Sequence, residues 1–118
     1  MITAITVPPN PAGRRSHYLK VRDRASFEFA VVSAAVALDM DGRRIRQAQV
    51  ALGGVGTKPW RVPRVEVALA GSSLDPAALR TAAALASEGA KGRGHNDFKI
   101  ELMQRAIVRA VETAGARA

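Results

Sequence analysis

Two apolar runs hinged on Asp41–Gly42 restrict the possible folds of this chain more than any other feature. From Ala30 to Leu38 the residues are nearly all apolar, and the stretch from Phe27 to Met40 opens with period-two character. Alanine prefers helix, so this run taken alone also fits a helix. Asp-Gly between apolar runs is a favoured type I′ hairpin turn, which selects a strand. The partner strand then spans Arg44 to Leu52, with Ala48, Val50 and Leu52 on one face. The first strand reads as buried on both faces, because its small residues Ala30, Ser33, Ala34, Ala35 and Ala37 admit helices or another sheet at close range.

Helix signals follow the hairpin. Pro63 to Ala70 reads as a short helix begun by proline in its first turn and ended by Gly71. Asp75 with Pro76 opens a second helix to about Glu88, stopped by Gly89, with Leu79, Ala82, Ala83, Leu85 and Ala86 facing inward. Asn96 or Asp97 caps a last helix to about Thr113, with Ile100, Met103, Ile107 and Ala110 as its apolar stripe and a Glu101–Arg105 pair on its wet face. Strands first and helices afterwards give an α+β fold, a small antiparallel sheet of about three or four strands covered on one face by about three helices. Ahead of it, Ile2 to Val7 alternates like the end of a strand and Pro8–Gly13 reads as a linker.

A chain of 118 residues supports one domain, which buries roughly 65% of its unfolded surface and leaves no room for a deep cofactor chamber. The absence of cysteine excludes disulfides and iron–sulfur ligation by these residues and makes the cytoplasm the expected compartment. No apolar run approaches the roughly 20 residues of a membrane span, so the chain is expected to be soluble. The formal charge of +8 points to phosphate-bearing partners or an acidic protein surface. Arginine supplies 14 of the 18 cations, which tilts that reading toward defined bidentate contacts.

No nucleophile, base and orienting acid come together in the sequence. His17 and His95 fall in expected loops far apart, and the carboxylates fit turns or solvated helix faces. The loop Gly53–Pro59, ending in Trp60-Arg61, matches neither a Walker loop nor a dinucleotide fingerprint and reads as a flexible turn. The segment YLKVRDR is more informative, since an extended strand places Lys20, Arg22 and Arg24 on one face. Such a cationic ridge complements a diphosphate or the electron-rich carbonyl edge of a flavin; the competing reading is an edge strand blunted by charge against aggregation.

The ordered stretches Tyr18–Arg24, Phe29–Ala35, Leu52–Val55, Pro59–Arg61, Ala68–Gly71 and Asn96–Leu102 together resemble the C-terminal domain of the FAD-binding medium subunit of molybdenum hydroxylases, of the xanthine dehydrogenase, carbon monoxide dehydrogenase and aldehyde oxidoreductase types. The resemblance implies a role in a multisubunit FAD-dependent oxidoreductase. Electrons from iron–sulfur clusters on a small subunit pass through FAD to an acceptor, and molybdopterin chemistry belongs to a large subunit. It further implies that an upstream domain holds most of the FAD. This domain would cover the flavin and lend it Lys20, with Arg24 as a second cofactor-binding residue, while Trp60 would anchor interdomain packing. Residues 1–16 are then expected to be a linker and remnant strand from the missing FAD domain, and 17–118 the domain itself, inactive in isolation. The alternatives are a small basic nucleic-acid-binding module, favoured only by the net charge and cations such as Lys91 and Arg93, and a subunit-assembly module without cofactor.

Overall fold

The computed structural model describes residues 1–117, and its backbone follows the expected order of strands before helices. After a 3₁₀ turn at Pro11–Arg15 come β1 (Ser16–Val21), β2 (Val32–Asp41), β3 (Arg44–Gly53) and a two-residue β4 (Trp60–Arg61). The helices are α1 (Pro63–Leu69), α2 (Pro76–Ala84), continued by a 3₁₀ turn at Leu85–Ser87, and α3 (Phe98–Gly115). All strand pairs are antiparallel, in the sheet order β1-β2-β3-β4. The α+β expectation, one small sheet with three helices on one face, matches this architecture.

Strand parity decides where the core lies. Val32, Ala34, Val36 and Leu38 of β2 sit beside Val21, Leu19 and His17 on one side and Leu52, Val50 and Ala48 on the other, and this face carries the helices. Ala106, Ala110 and Ala114 of α3 are buried, and their small side chains let that helix approach β2 closely. Each fully buried Leu, Ile or Val in this layer, such as Leu38, Ile45 or Val65, contributes about 1.5–3 kcal/mol by leaving water.

Local chemistry sets the ends of the elements. Asp75 accepts a hydrogen bond from the Ala78 amide at 3.0 Å, with Pro76 in the first helical position, as the sequence predicts. Gly71, at φ +82°, follows α1. Pro59 and Pro63 bracket Trp60-Arg61 and limit β4 to two residues, because proline donates nothing to a ladder.

Five expectations change. The hairpin turn centres on Gly42–Arg43, with positive φ at Gly42 alone, the pattern of a type II′ turn and not of type I′, which needs positive φ at both central positions. Trp60-Arg61 is a strand pairing with Leu52 and Ala51, not the tail of a loop. His17 lies in β1, not in a loop. On β2 only one face is covered in full: Ala35 is exposed and Ala37 half-buried on the side away from the helices. The expected strand at Ile2–Val7 has no ladder partner among the described residues, and Ile2, Ile5 and Val7 are exposed. The following turn is held against the sheet by Asn10, whose side-chain amide donates to Gln49 at 2.8 Å, and by buried Ala12.

Candidate functional site

The sheet face away from the helices carries the residue singled out from the sequence. Lys20 pairs with Ser33, which pairs with Gly53; Tyr18 pairs with Ala35, which pairs with Ala51 and then Arg61. These residues share the outer face by strand parity. Small side chains at Ala35, Ala37 and Ala51 give a shallow groove of about 790 Å³, walled by Tyr18, Gln49 and Arg61. Lys20 stands half-buried at one end of this face and takes part in no ion pair among the described residues.

The expected ridge of three cations does not form, because the chain leaves the ladder at Val21. Only Lys20 stands on the strand. Arg22 turns back within the β1–β2 loop and donates from Nη1 to the Ser26 carbonyl at 3.0 Å. Arg24 is exposed in the same loop, and its backbone amide donates to Glu28 Oε2 at 3.2 Å. The loop closes where the Val31 amide donates to the Val21 carbonyl at 2.9 Å. Lys20 and Arg24 therefore lie four residues apart across a strand end, one on the sheet and one on the loop.

That loop also carries Phe27 and Phe29, both fully exposed. Two bare phenyl rings a few residues beyond an unpaired ammonium are an apolar and cationic combination that a planar, electron-rich ring system would cover. The hydrophobic alternation at 27–30 suggests strand; in the structure these residues precede β2 and both rings are left exposed. The double glycine of Leu52–Val55 anchors the loop. A Cβ on Gly54, whose φ is +75°, would lie 2.6 Å from the Val31 carbonyl oxygen, and one on Gly53 would lie 2.5 Å from Ser33 Oγ.

The two histidines do not meet. His17 has Arg117 Nη2 3.4 Å from its Nδ1, at the opposite end of β1 from Val21, whereas His95 is exposed in the α2–α3 loop. No cluster of three or more metal-ligating side chains occurs among the described residues. Sequence reasoning missed Glu66, read there as a solvated carboxylate. It lies under β4, accepts the Val50 amide at 2.9 Å and forms a bidentate pair with Arg61, which keeps that guanidinium charged and its pKa raised.

As a site for FAD, the residues present fit a cover better than a container. They offer an ammonium, an exposed guanidinium and bare aromatic rings at one end of an open face, without a glycine-rich phosphate loop of dinucleotide type.

Comparison with known proteins agrees with this geometry. The model of the family described as CO dehydrogenase flavoprotein C-terminal domain matches residues 17–114. The chain is 39% identical over its whole length to the aldehyde oxidoreductase FAD-binding subunit PaoB of Escherichia coli, covering 34% of that protein. It is 33% identical to the carbon monoxide dehydrogenase medium chain of Afipia carboxidovorans, again over all of this chain and 42% of the relative. The chain thus spans between about a third and two fifths of the length of these relatives. Among solved structures, carbon monoxide dehydrogenase from Oligotropha carboxidovorans superposes with a TM-score of 0.78 at 32% identity, over 97% of this chain and 40% of that one. Quinoline 2-oxidoreductase from Pseudomonas putida gives 0.78 at 28% identity, over 86% of this chain and 36% of that one.

Proposed function

The chain belongs to the CO dehydrogenase flavoprotein C-terminal domain family, and from that premise we propose that it covers the flavin of an FAD-binding medium subunit in a molybdenum hydroxylase of the xanthine dehydrogenase and aldehyde oxidoreductase kind. Residues 17–118 are the covering domain, and 1–16 are the linker from an upstream domain that holds most of the cofactor. FAD, when bound, supplies a two-electron acceptor that takes electrons from iron–sulfur clusters on a small subunit and releases them to an acceptor, while molybdopterin stays on a large subunit. The whole assembly works in the cytoplasm, and the isolated chain is inactive.

The observation that carries the reading is Lys20, half-buried and without a carboxylate partner among the described residues, on the sheet face that the helices leave open. Its ammonium, a compact three-proton donor, would bind and orient the electron-rich edge of the ring system. Arg24, on the loop beyond the strand end, is the second and weaker contact, and the exposed Phe27 and Phe29 rings exclude water from the covered edge. One lysine and one arginine cannot hold a dinucleotide unaided, since its ordering cost must also be offset, so stand-alone affinity is weak.

The test is Lys20→Ala in the subunit assembled with its upstream FAD-binding part. Flavin retention through gel filtration falls and the flavin absorption band shifts. A variant with unchanged retention, spectrum and flavin reduction rate removes Lys20 from the site.

A further inference from the structure

A second concavity lies on the helical side of the sheet, where the β3–β4 loop meets the segment linking α2 to α3. It is a groove of about 390 Å³. Leu52, Ala86, Ile100 and Met103 floor it with apolar surface, and the indole of Trp60 forms a wall. Trp60 is 54% exposed, an unusual cost for the single tryptophan of a chain with so few aromatic residues. Lys91 and Lys99 stand at the rim. Lys99 Nζ donates to the Gly54 carbonyl at 3.0 Å, which ties its ammonium to the β3–β4 loop beside the groove. Lys91 is exposed and enters no ion pair among the described residues. The lining carboxylate, Glu88, is already engaged by Arg64, so it does not neutralise the two lysines.

Volume, a flat π wall, an apolar floor and two lining cations define a ligand. We propose that this groove binds a small planar aromatic ring carrying an anionic group, with the ring against Trp60 and the phosphate or carboxylate between Lys91 and Lys99. The volume falls within the range of small-ligand sites, and few convergent polar groups over an apolar floor are their usual construction. Ring stacking on the indole and charge-assisted hydrogen bonds from ammonium groups each favour the same molecule. The groove lies at the same end of the sheet as Lys20 but does not include that residue, so variants of Lys91 and of Lys20 test the two readings separately.

Trp60, as the single indole, reports directly on occupancy. Adenosine monophosphate and 2-naphthoate are titrated into the 118-residue chain without any flavin domain, followed by Trp60 fluorescence for the nucleotide and by calorimetry for both. Saturable binding is expected for at least one, with the tighter of the two identifying the anionic group as phosphate or carboxylate. Adenosine and inorganic phosphate should each bind at least roughly tenfold more weakly than the nucleotide, if that is the preferred probe, because each lacks half of the recognised chemistry. Lys91→Glu, on an exposed loop where folding is not at stake, should weaken the preferred probe by about tenfold or more, and Ala86→Leu should fill the groove and abolish binding. No saturable binding of either probe up to millimolar concentration, or an affinity indifferent to Lys91→Glu, overturns the assignment.

Discussion

Glu66 shows how one side chain substitutes for missing backbone. Beyond Arg61 the chain turns into α1, so nothing on β4 remains to accept the amide of buried Val50, and the Glu66 carboxylate takes it at 2.9 Å while also holding Arg61. Removing that acceptor leaves a buried donor unsatisfied. Glu66→Ala is expected to lower stability by about 1–3 kcal/mol in urea unfolding, with Glu66→Gln losing less because its carbonyl oxygen still accepts. Asp39 gives a pH signature. Hydrogen bonds from Arg46 to both carboxylate oxygens hold its pKa below the ordinary carboxylate value, against a smaller opposing effect of partial desolvation. Its folded-state pKa is depressed, so its contribution is complete above the ordinary value and is lost as pH falls through the depressed one. Carboxyl-carbon NMR should therefore find Asp39 titrating at lower pH in the native chain than in Arg46→Ala.

In the β2–β3 hairpin, register matters more than composition. Met40 pairs with Ile45 and Asp39 with Gln47, which leaves Arg46 as an extra residue, a bulge. Were Arg46 taken into an unbulged ladder, Ile45 would share the face of Gln47 and Gln49 and point outward; with the bulge, Ile45 is fully buried in the core. Ile45→Ala is thus expected to destabilise by about 2–5 kcal/mol, the scale of losing a large core side chain, whereas Arg46→Ala should scarcely move the urea midpoint. The α1–α2 connection depends on the same hairpin end, since the Ile45 amide donates to Ser72 and the Gly71 amide to Ile45, at 2.9 and 2.7 Å.

The whole molecule is asymmetric in its apolar surface. The helices cover one sheet face. The other keeps an open groove, and Phe27 and Phe29 lie bare on the β1–β2 loop. Every ion pair among the described residues uses arginine. The four lysines sit toward a single end, at the close of β1, in the β3–β4 loop, and around the start of α3, where Lys99 bonds Gly54. None of these lysines enters an ion pair among the described residues, while the arginines of the ion pairs are satisfied internally. Phe27→Ser with Phe29→Ser is expected to leave the unfolding free energy within about 0.5 kcal/mol, as for surface positions, and to reduce concentration-dependent scattering of the isolated chain. A large loss of stability would show that those rings pack within this chain.

Period-two alternation, Pro and Asp at helix starts, and glycine at helix ends made the α+β order, the β2–β3 hairpin and the three helices readable from residues alone, because these signals act over a few residues and depend on no distant partner. Lys20 could be placed on a strand by the same means. The tertiary structure decided the rest. It set where β1 ends, hence that Arg22 and Arg24 leave the ridge, and which extra residue forms the bulge that turns Ile45 inward. It also joined Trp60 to Lys91 and Lys99 across the fold and left one face of β2 uncovered. Each of these depends on pairing between segments remote in sequence, where a shift of one residue exchanges the inner face for the outer, and local propensity carries no information about that choice.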